Sequence, residues 1–161
     1  MHKKLLHLVD TYHAEMITVV AVFGMVGSLY FSNYGDPVLN MATGSLFPLS
    51  GGLAPCLLCW WARIFLYPLA FIAPVAALLR DKAYTYYALI LSTVGAGITG
   101  FHTYLQLTAT PFTPCRAMIS CTEKQVEYFG FITIPMLAFV AFVLLVFISG
   151  RVVYTFRKGS V

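Results

Sequence analysis

Three observations predict an all-α fold, an integral membrane four-helix bundle. Of the 161 residues, 60% are hydrophobic and 10% charged, against about 25% charged in an ordinary soluble domain. Four windows, about 16–31, 57–79, 84–107 and 129–149, contain one charged residue between them, Arg63. Each approaches or exceeds the roughly 20 apolar residues needed to cross a hydrocarbon core about 30 Å thick. The basic residues are also asymmetric. Lys3, Lys4, Arg80, Lys82, Arg151, Arg157 and Lys158, seven of the ten, fall on one side if all four windows cross. The positive-inside rule makes that side cytoplasmic, with both termini, and leaves two extracytoplasmic loops.

Each element has its own justification. The first window follows Lys3 and Lys4 as a secretory signal would, with small residues near Ala42; the charge count favours its retention as a span. The second and third are separated by Arg80-Asp81-Lys82, a turn so short that its helices are antiparallel neighbours whose far ends meet. Pro68 and Pro74 in the second window and Pro135 in the fourth remove backbone donors and are expected to bend their helices. Gly95, Gly97 and Gly100 offer close-approach positions in the third. No repeat or linker divides the chain, so residues 1–161 form a single domain. The +4 net charge sits at helix ends without stacking aromatics, so topology explains it and nucleic acid is not an expected partner.

The chemistry lies in four cysteines, Cys56, Cys59, Cys115 and Cys121, all in or beside the outward segments 32–55 and 108–128, which suits an oxidising compartment. Cys56-Leu57-Leu58-Cys59 opens the second span. A helix start stabilises thiolates, and residues at i and i+3 share a face, so the pair fits an exchangeable disulfide. Cys115 and Cys121 form a loop pair that a protein partner can reach. Two alternatives remain from spacing: a zinc site using all four cysteines, and inert bridges stapling the loops. An oxidising location disfavours four available thiolates, and no metal is expected.

Arg63 follows Cys59 by four residues, about 6 Å along nearly the same face. A cation within a span is costly and faces a cavity or partner, or snorkels to headgroups. Beside a redox cysteine it can stabilise a thiolate or a developing negative charge on an acceptor. His102, toward the outer end of the third span, is able to approach the Cys59–Arg63 region, or is simply a satisfied hydrogen-bonding group. His2, His7 and His13 lie on the other side.

These residues together resemble the DsbB/BdbC family of disulfide bond formation proteins, over nearly the whole chain. The resemblance rests on Cys56-Leu57-Leu58-Cys59-Trp60-Trp61-Ala62-Arg63, His102-Thr103-Tyr104-Leu105-Gln106, the second cysteine pair, and Tyr128-Phe129-Gly130-Phe131-Ile132-Thr133-Ile134-Pro135. The short second loop and the Phe129-Gly130-Phe131-Ile132-Thr133-Ile134-Pro135 run look more like the BdbC branch than the longer-looped DsbB branch. The resemblance implies a bacterial cytoplasmic membrane enzyme that reoxidises an extracytoplasmic thioredoxin-like thiol oxidase, DsbA- or BdbD-like, and passes its electrons to ubiquinone or menaquinone. It implies that Cys115 takes the mixed disulfide with the partner, that Cys121 resolves toward Cys56, that Cys59 meets the quinone, and that Arg63 and His102 lie beside it. Ala62 stands where the family often carries an acidic or amide residue. A reductase of the vitamin K epoxide reductase type also has four helices and two cysteine pairs, but its quinone-facing pair belongs to the last helix. A noncatalytic scaffold with stapled loops is the reading from another class.

Overall fold

The computed structural model describes residues 2–34, 55–109, 121–122, 127–128 and 132–159. Four helices account for most of them: α1 His2–Tyr34, α2 Leu57–Leu79, α3 Tyr84–Thr108 and α4 Ile134–Gly159. Each contains a stretch long and apolar enough to cross a membrane. The helices form a ring in which α1 packs on α2, α2 on α3, α3 on α4 and α4 on α1.

The second and third windows match α2 and α3 to within a residue. The other two need correction. The apolar part of α1 runs over Thr11–Tyr34, longer than 16–31, and the helix continues N-terminally through a local break at Tyr12 (φ −109°, ψ 23°). The fourth helix begins at Ile134 rather than near 129. Just before it, β1 (Glu127–Tyr128) pairs antiparallel with β2 (Ile132–Thr133), placing Tyr128 opposite Ile132. Pro135 consequently lies in the first turn of α4, where its missing N–H has no intrahelical acceptor to lose. It starts this helix instead of bending it.

The bundle's exterior is its most apolar face. Leu78 is 85% exposed and Phe23 75%, with Phe71, Ile90 and Leu107 similarly bare. A surface of that kind is soluble in lipid and not in water. Inside, Ile17, Ala21, Leu69, Ala73, Ala88, Phe142 and Leu145 form the common core. Small residues set the helix spacing, because association in lipid depends on close packing. A Cβ added at Gly95 would sit 2.2 Å from the Phe142 ring, and one at Gly100 3.0 Å from Phe139. Gly97 meets nothing within 4 Å, so it is not a contact position. Hydroxyls within the spans donate back to their own helix, as Ser92 does to the Ala88 carbonyl at 2.6 Å and Thr99 to Gly95 at 2.8 Å. The hydrogens of these two hydroxyls are thereby not lost to hydrocarbon, whereas Ser149 Oγ and Tyr84 Oη are buried without a hydrogen-bond partner among the described residues.

The α2–α3 turn is closed locally. Arg80 adopts the left-handed conformation (φ 52°, ψ 31°), and the Arg80 and Asp81 amides donate to the Ala77 and Ala76 carbonyls at 3.3 and 3.1 Å. The Asp81 carboxylate accepts from the Ala83 amide at 2.8 Å. These bonds satisfy a helix end that has run out of partners. The helices therefore reverse tightly, and Cys56, at the start of α2, comes level with His102 near the end of α3.

Candidate functional site

Cys56 is the N-cap residue of α2, in extended conformation, and its carbonyl accepts the first helical bond, from the Trp60 amide at 3.1 Å. The two thiols are free and their sulfurs stand 3.2 Å apart. The i, i+3 spacing at a helix start delivers this approach directly. Cys56 is 6% exposed and Cys59 half-buried.

His102 is 3% exposed, and one atom of it faces two cysteines. Its Nε2 lies 3.6 Å from Cys56 Sγ and 3.1 Å from the Cys121 carbonyl oxygen. A carbonyl accepts only, so Nε2 carries the proton and stands between the two acceptors. Either sulfur can donate across 3.2 Å, and the ring beside Cys56 decides which. The Cys56 thiol is drawn from its ordinary value near 9.0 down to about 4, first because the Cys59 S–H donates to it, then because of His102. Burial works in the opposite direction and is outweighed. The negative charge of the reduced pair thus rests on Cys56.

Cys121 is disulfide-bonded and 2% exposed. Its bonding partner is not among the described residues, and Cys115 lies outside them. Cys121 packs in one buried cluster with Cys56, Leu58 and Leu105, against which Cys59 also rests. The expectation of a reachable loop sulfur is therefore wrong for Cys121, which is folded onto the membrane-surface pair. With Cys121 in a disulfide, four thiolates are not available together here, and Cys56 and Cys59 are free thiols.

On the other side of Cys59 a cavity of about 240 Å³ opens among all four helices. Phe23 and Phe31 of α1, Leu66 of α2 and Phe142 of α4 supply apolar wall, while Cys59, Arg63 and His102 supply the chemistry. Among the described residues Cys56 does not line it. Arg63 is tied to α1: Nε donates to Ser28 Oγ at 2.8 Å, and Nη2 donates to the Ser28 carbonyl at 3.2 Å and to Ser32 Oγ. The guanidinium also stands 5.4 Å from the Trp60 ring. These bonds tie Arg63 to α1 across the bundle, and they leave both Nη1 hydrogens unused among the described residues. The sequence reading did not single out Ser28 and Ser32. Their i, i+4 spacing in an apolar span was the available signal, because two hydroxyls on one face of a membrane helix suit a buried partner.

A pair of thiols lying between a half-cystine and an apolar cavity agrees with what comparison finds. The model of the family described as Disulfide bond formation protein DsbB matches residues 27–152. The chain belongs to the DsbB family. Among its relatives is Disulfide bond formation protein C of Bacillus subtilis (strain 168), 36% identical over 131 residues, 80% of this chain and 83% of the relative. The SPbeta prophage-derived disulfide bond formation protein B of the same strain is 37% identical over 105 residues, 65% and 71% of the two chains. The Probable disulfide formation protein C of Halalkalibacterium halodurans is 35% identical over 129 residues, 79% and 82%. No solved structure matches the chain. As a DsbB-family member the protein is a thiol oxidoreductase of disulfide bond formation in a multi-pass membrane fold, and the scaffold reading ends here.

Proposed function

We propose that this protein is a thiol oxidase that takes electrons from an extracytoplasmic thioredoxin-like partner and delivers them to a membrane quinone. The observation that carries the reading is the division of labour within the pair: Cys56 packs against Cys121, whereas Cys59 lines the cavity. Both termini and the Arg80–Lys82 turn face the cytoplasm in this reading, since seven basic residues gather there, and the cysteines face outside the bacterial cytoplasmic membrane.

A partner thiolate attacks the Cys115–Cys121 disulfide, bonds to Cys115 and releases Cys121; the partner's second thiol then displaces Cys115, and the partner leaves oxidised. Cys121 next attacks the Cys56–Cys59 disulfide at Cys56, expelling Cys59. Cys115 attacks Cys121, re-forms the loop disulfide and expels Cys56 as a thiolate, toward which His102 Nε2–H is already directed. Two electrons have moved inward, and every S–S bond broken is matched by one formed. Cys121 bonded with Cys56 and Cys59 free is the arrangement in which this sequence would end, which supports the reading.

The cavity fits a quinone head: it is walled by apolar side chains, has room for one or two fused rings, and offers an Arg63 cation with spare donors. When bound there, a quinone would accept two electrons from the inner pair, with one proton from the Cys59 thiol and the second from solvent. Arg63 would hold its carbonyl oxygen and favour charge developing on it, Ser28 and Ser32 keep the guanidinium in place, and the apolar walls exclude water.

Anaerobic mixing of the reduced protein with ubiquinone or menaquinone, followed by quinone absorbance, tests the reading and identifies the acceptor. Rapid reduction that disappears in Cys59→Ser is expected. Undiminished reduction in that variant would remove the basis of the proposal. For the outer half, a partner lacking its resolving cysteine should accumulate as an adduct with Cys115, and a mass-spectrometric linkage to Cys59 would reverse the electron path.

A further inference from the structure

The reduced inner pair and His102 have a second chemistry that electron transfer does not use. Cys56 Sγ, Cys59 Sγ and one ring nitrogen of His102 all lie within 4.8 Å of one another. A tetrahedral Zn²⁺ with bonds of about 2.3 Å to sulfur and 2.0–2.1 Å to nitrogen needs S···S of about 3.8 Å and S···N of about 3.6 Å. The observed separations are 3.2 Å between the sulfurs and 3.6 Å from Cys56 Sγ to Nε2. Relative to Cys56 Sγ the nitrogen already stands at the required separation, it lies within 4.8 Å of Cys59 Sγ, and the sulfurs need to part by roughly 0.6 Å, a small rotation of side chains on the first turn of a helix.

We infer that Cys56, Cys59 and His102 form a two-sulfur, one-nitrogen site for a thiophilic cation, Zn²⁺ or Cu⁺, that exists only when the inner pair is reduced. Two thiolates and an imidazole select such ions and discriminate against Mg²⁺ and Ca²⁺, which require oxygen donors. Cys59 is the half-buried member and borders the cavity, which supplies an approach. Three protein ligands leave a fourth position for water. Binding displaces the remaining thiol protons, and it requires His102 to carry its proton on Nδ1, so the hydrogen bond from Nε2 to the Cys121 carbonyl is lost. A bound cation therefore blocks re-formation of the Cys56–Cys59 disulfide and frees the Cys121 segment from His102. Thiophilic metals would arrest this protein in its reduced state, and oxidation of the pair would expel them. The inference holds whichever acceptor serves the pair, because coordination needs only the reduced thiols.

Co²⁺ is the probe, since its tetrahedral thiolate complexes absorb strongly in the visible region. Fully reduced protein, freed of reductant anaerobically, should bind one Co²⁺ per chain with tetrahedral bands that Zn²⁺ abolishes and Mg²⁺ does not. The oxidised protein, with the same helices, should give no bands. Cys115→Ser/Cys121→Ser should retain the site. His102→Ala should weaken it by more than about 100-fold, because losing even an outer-shell partner costs ten- to hundredfold. X-ray absorption of the Zn²⁺-loaded wild type should show two sulfurs and one imidazole, a readout that needs no variant to fold. Equal binding by oxidised protein, loss of the bands in the Cys115/Cys121 variant, or a four-sulfur shell would each overturn the inference.

Discussion

The two ends of the bundle use polar groups in opposite ways. At the α2–α3 turn the bonds are local: Asp81 Oδ1 accepts from a backbone amide two residues on, and Thr85 Oγ1 donates three residues back. At the cysteine end the bonds join distant segments, 35 residues apart for Arg63 and Ser28, 46 for Cys56 and His102, and 19 for His102 and Cys121. Local bonds form as soon as the chain turns. Long-range bonds exist only in the assembled bundle, and they bring donors and sulfurs together with capacity still available. The turn end should consequently register mutations as stability, and the cysteine end as activity.

The sharpest test of that contrast is the largest expected effect. Cys56→Ser or Cys59→Ser should abolish catalysed disulfide formation while the unfolding transition in detergent shifts little, since exchanging sulfur for oxygen changes the packed volume only slightly. A variant that unfolds without a loss of specific activity would erase the distinction. Next, Arg63→Ala should slow quinone reduction on the order of a hundredfold, the loss seen when one preorganised donor is removed, with partner binding unchanged. Arg63→Lys should recover part of this, lacking the planar fork. Ser28→Ala/Ser32→Ala should lose about tenfold by the same mechanism, and normal kinetics in that double variant would detach the serines from Arg63's role.

The charge on Cys56 can be followed by thiolate ultraviolet absorbance in the reduced protein. Because its pKa is depressed to about 4, the signal should persist from neutral pH downward and fall only as pH drops through that region. In His102→Ala the fall should move to higher pH. A wild-type transition near 9 would show that the Cys59 and His102 contacts do not stabilise the thiolate.

Two smaller effects probe stability away from the chemistry. Gly95→Ala drives a methyl into Phe142 and should cost about 1–3 kcal/mol, as overpacking does, whereas Gly97→Ala, with open space, should gain roughly 0.5 kcal/mol from reduced backbone freedom. Equal shifts in detergent unfolding would remove the packing argument. Asp81→Ala should cost about 1 kcal/mol through the lost turn bond and leave turnover intact, and a turnover defect would mean the two ends are coupled.

Hydropathy alone revealed the four spans, the tight turn and the cysteine-bearing end, because lipid imposes length and apolarity on each helix separately. The Cys-x-x-Cys at a helix start was equally legible, since its geometry is local. Helix limits were less so: the first span extends back to Thr11, and β1–β2 occupy the positions just before Ile134. Hydropathy cannot separate an apolar strand from an apolar helix over a few residues.

Only the tertiary structure decided which sulfur faces which way. Nothing in the spacing of Cys56 and Cys59 makes one adjoin Cys121 and the other a cavity; that follows from where α3 and α4 stand around α2. Nor does the sequence reveal that Arg63 is held by Ser28 and Ser32, or that a single nitrogen of His102 faces both Cys56 and the Cys121 carbonyl. Composition and local spacing determined that this chain lies in a membrane with thiols at one end. The orientation of those thiols depends on side-chain contacts between residues far apart in the chain, which arise only when helix packing brings them together.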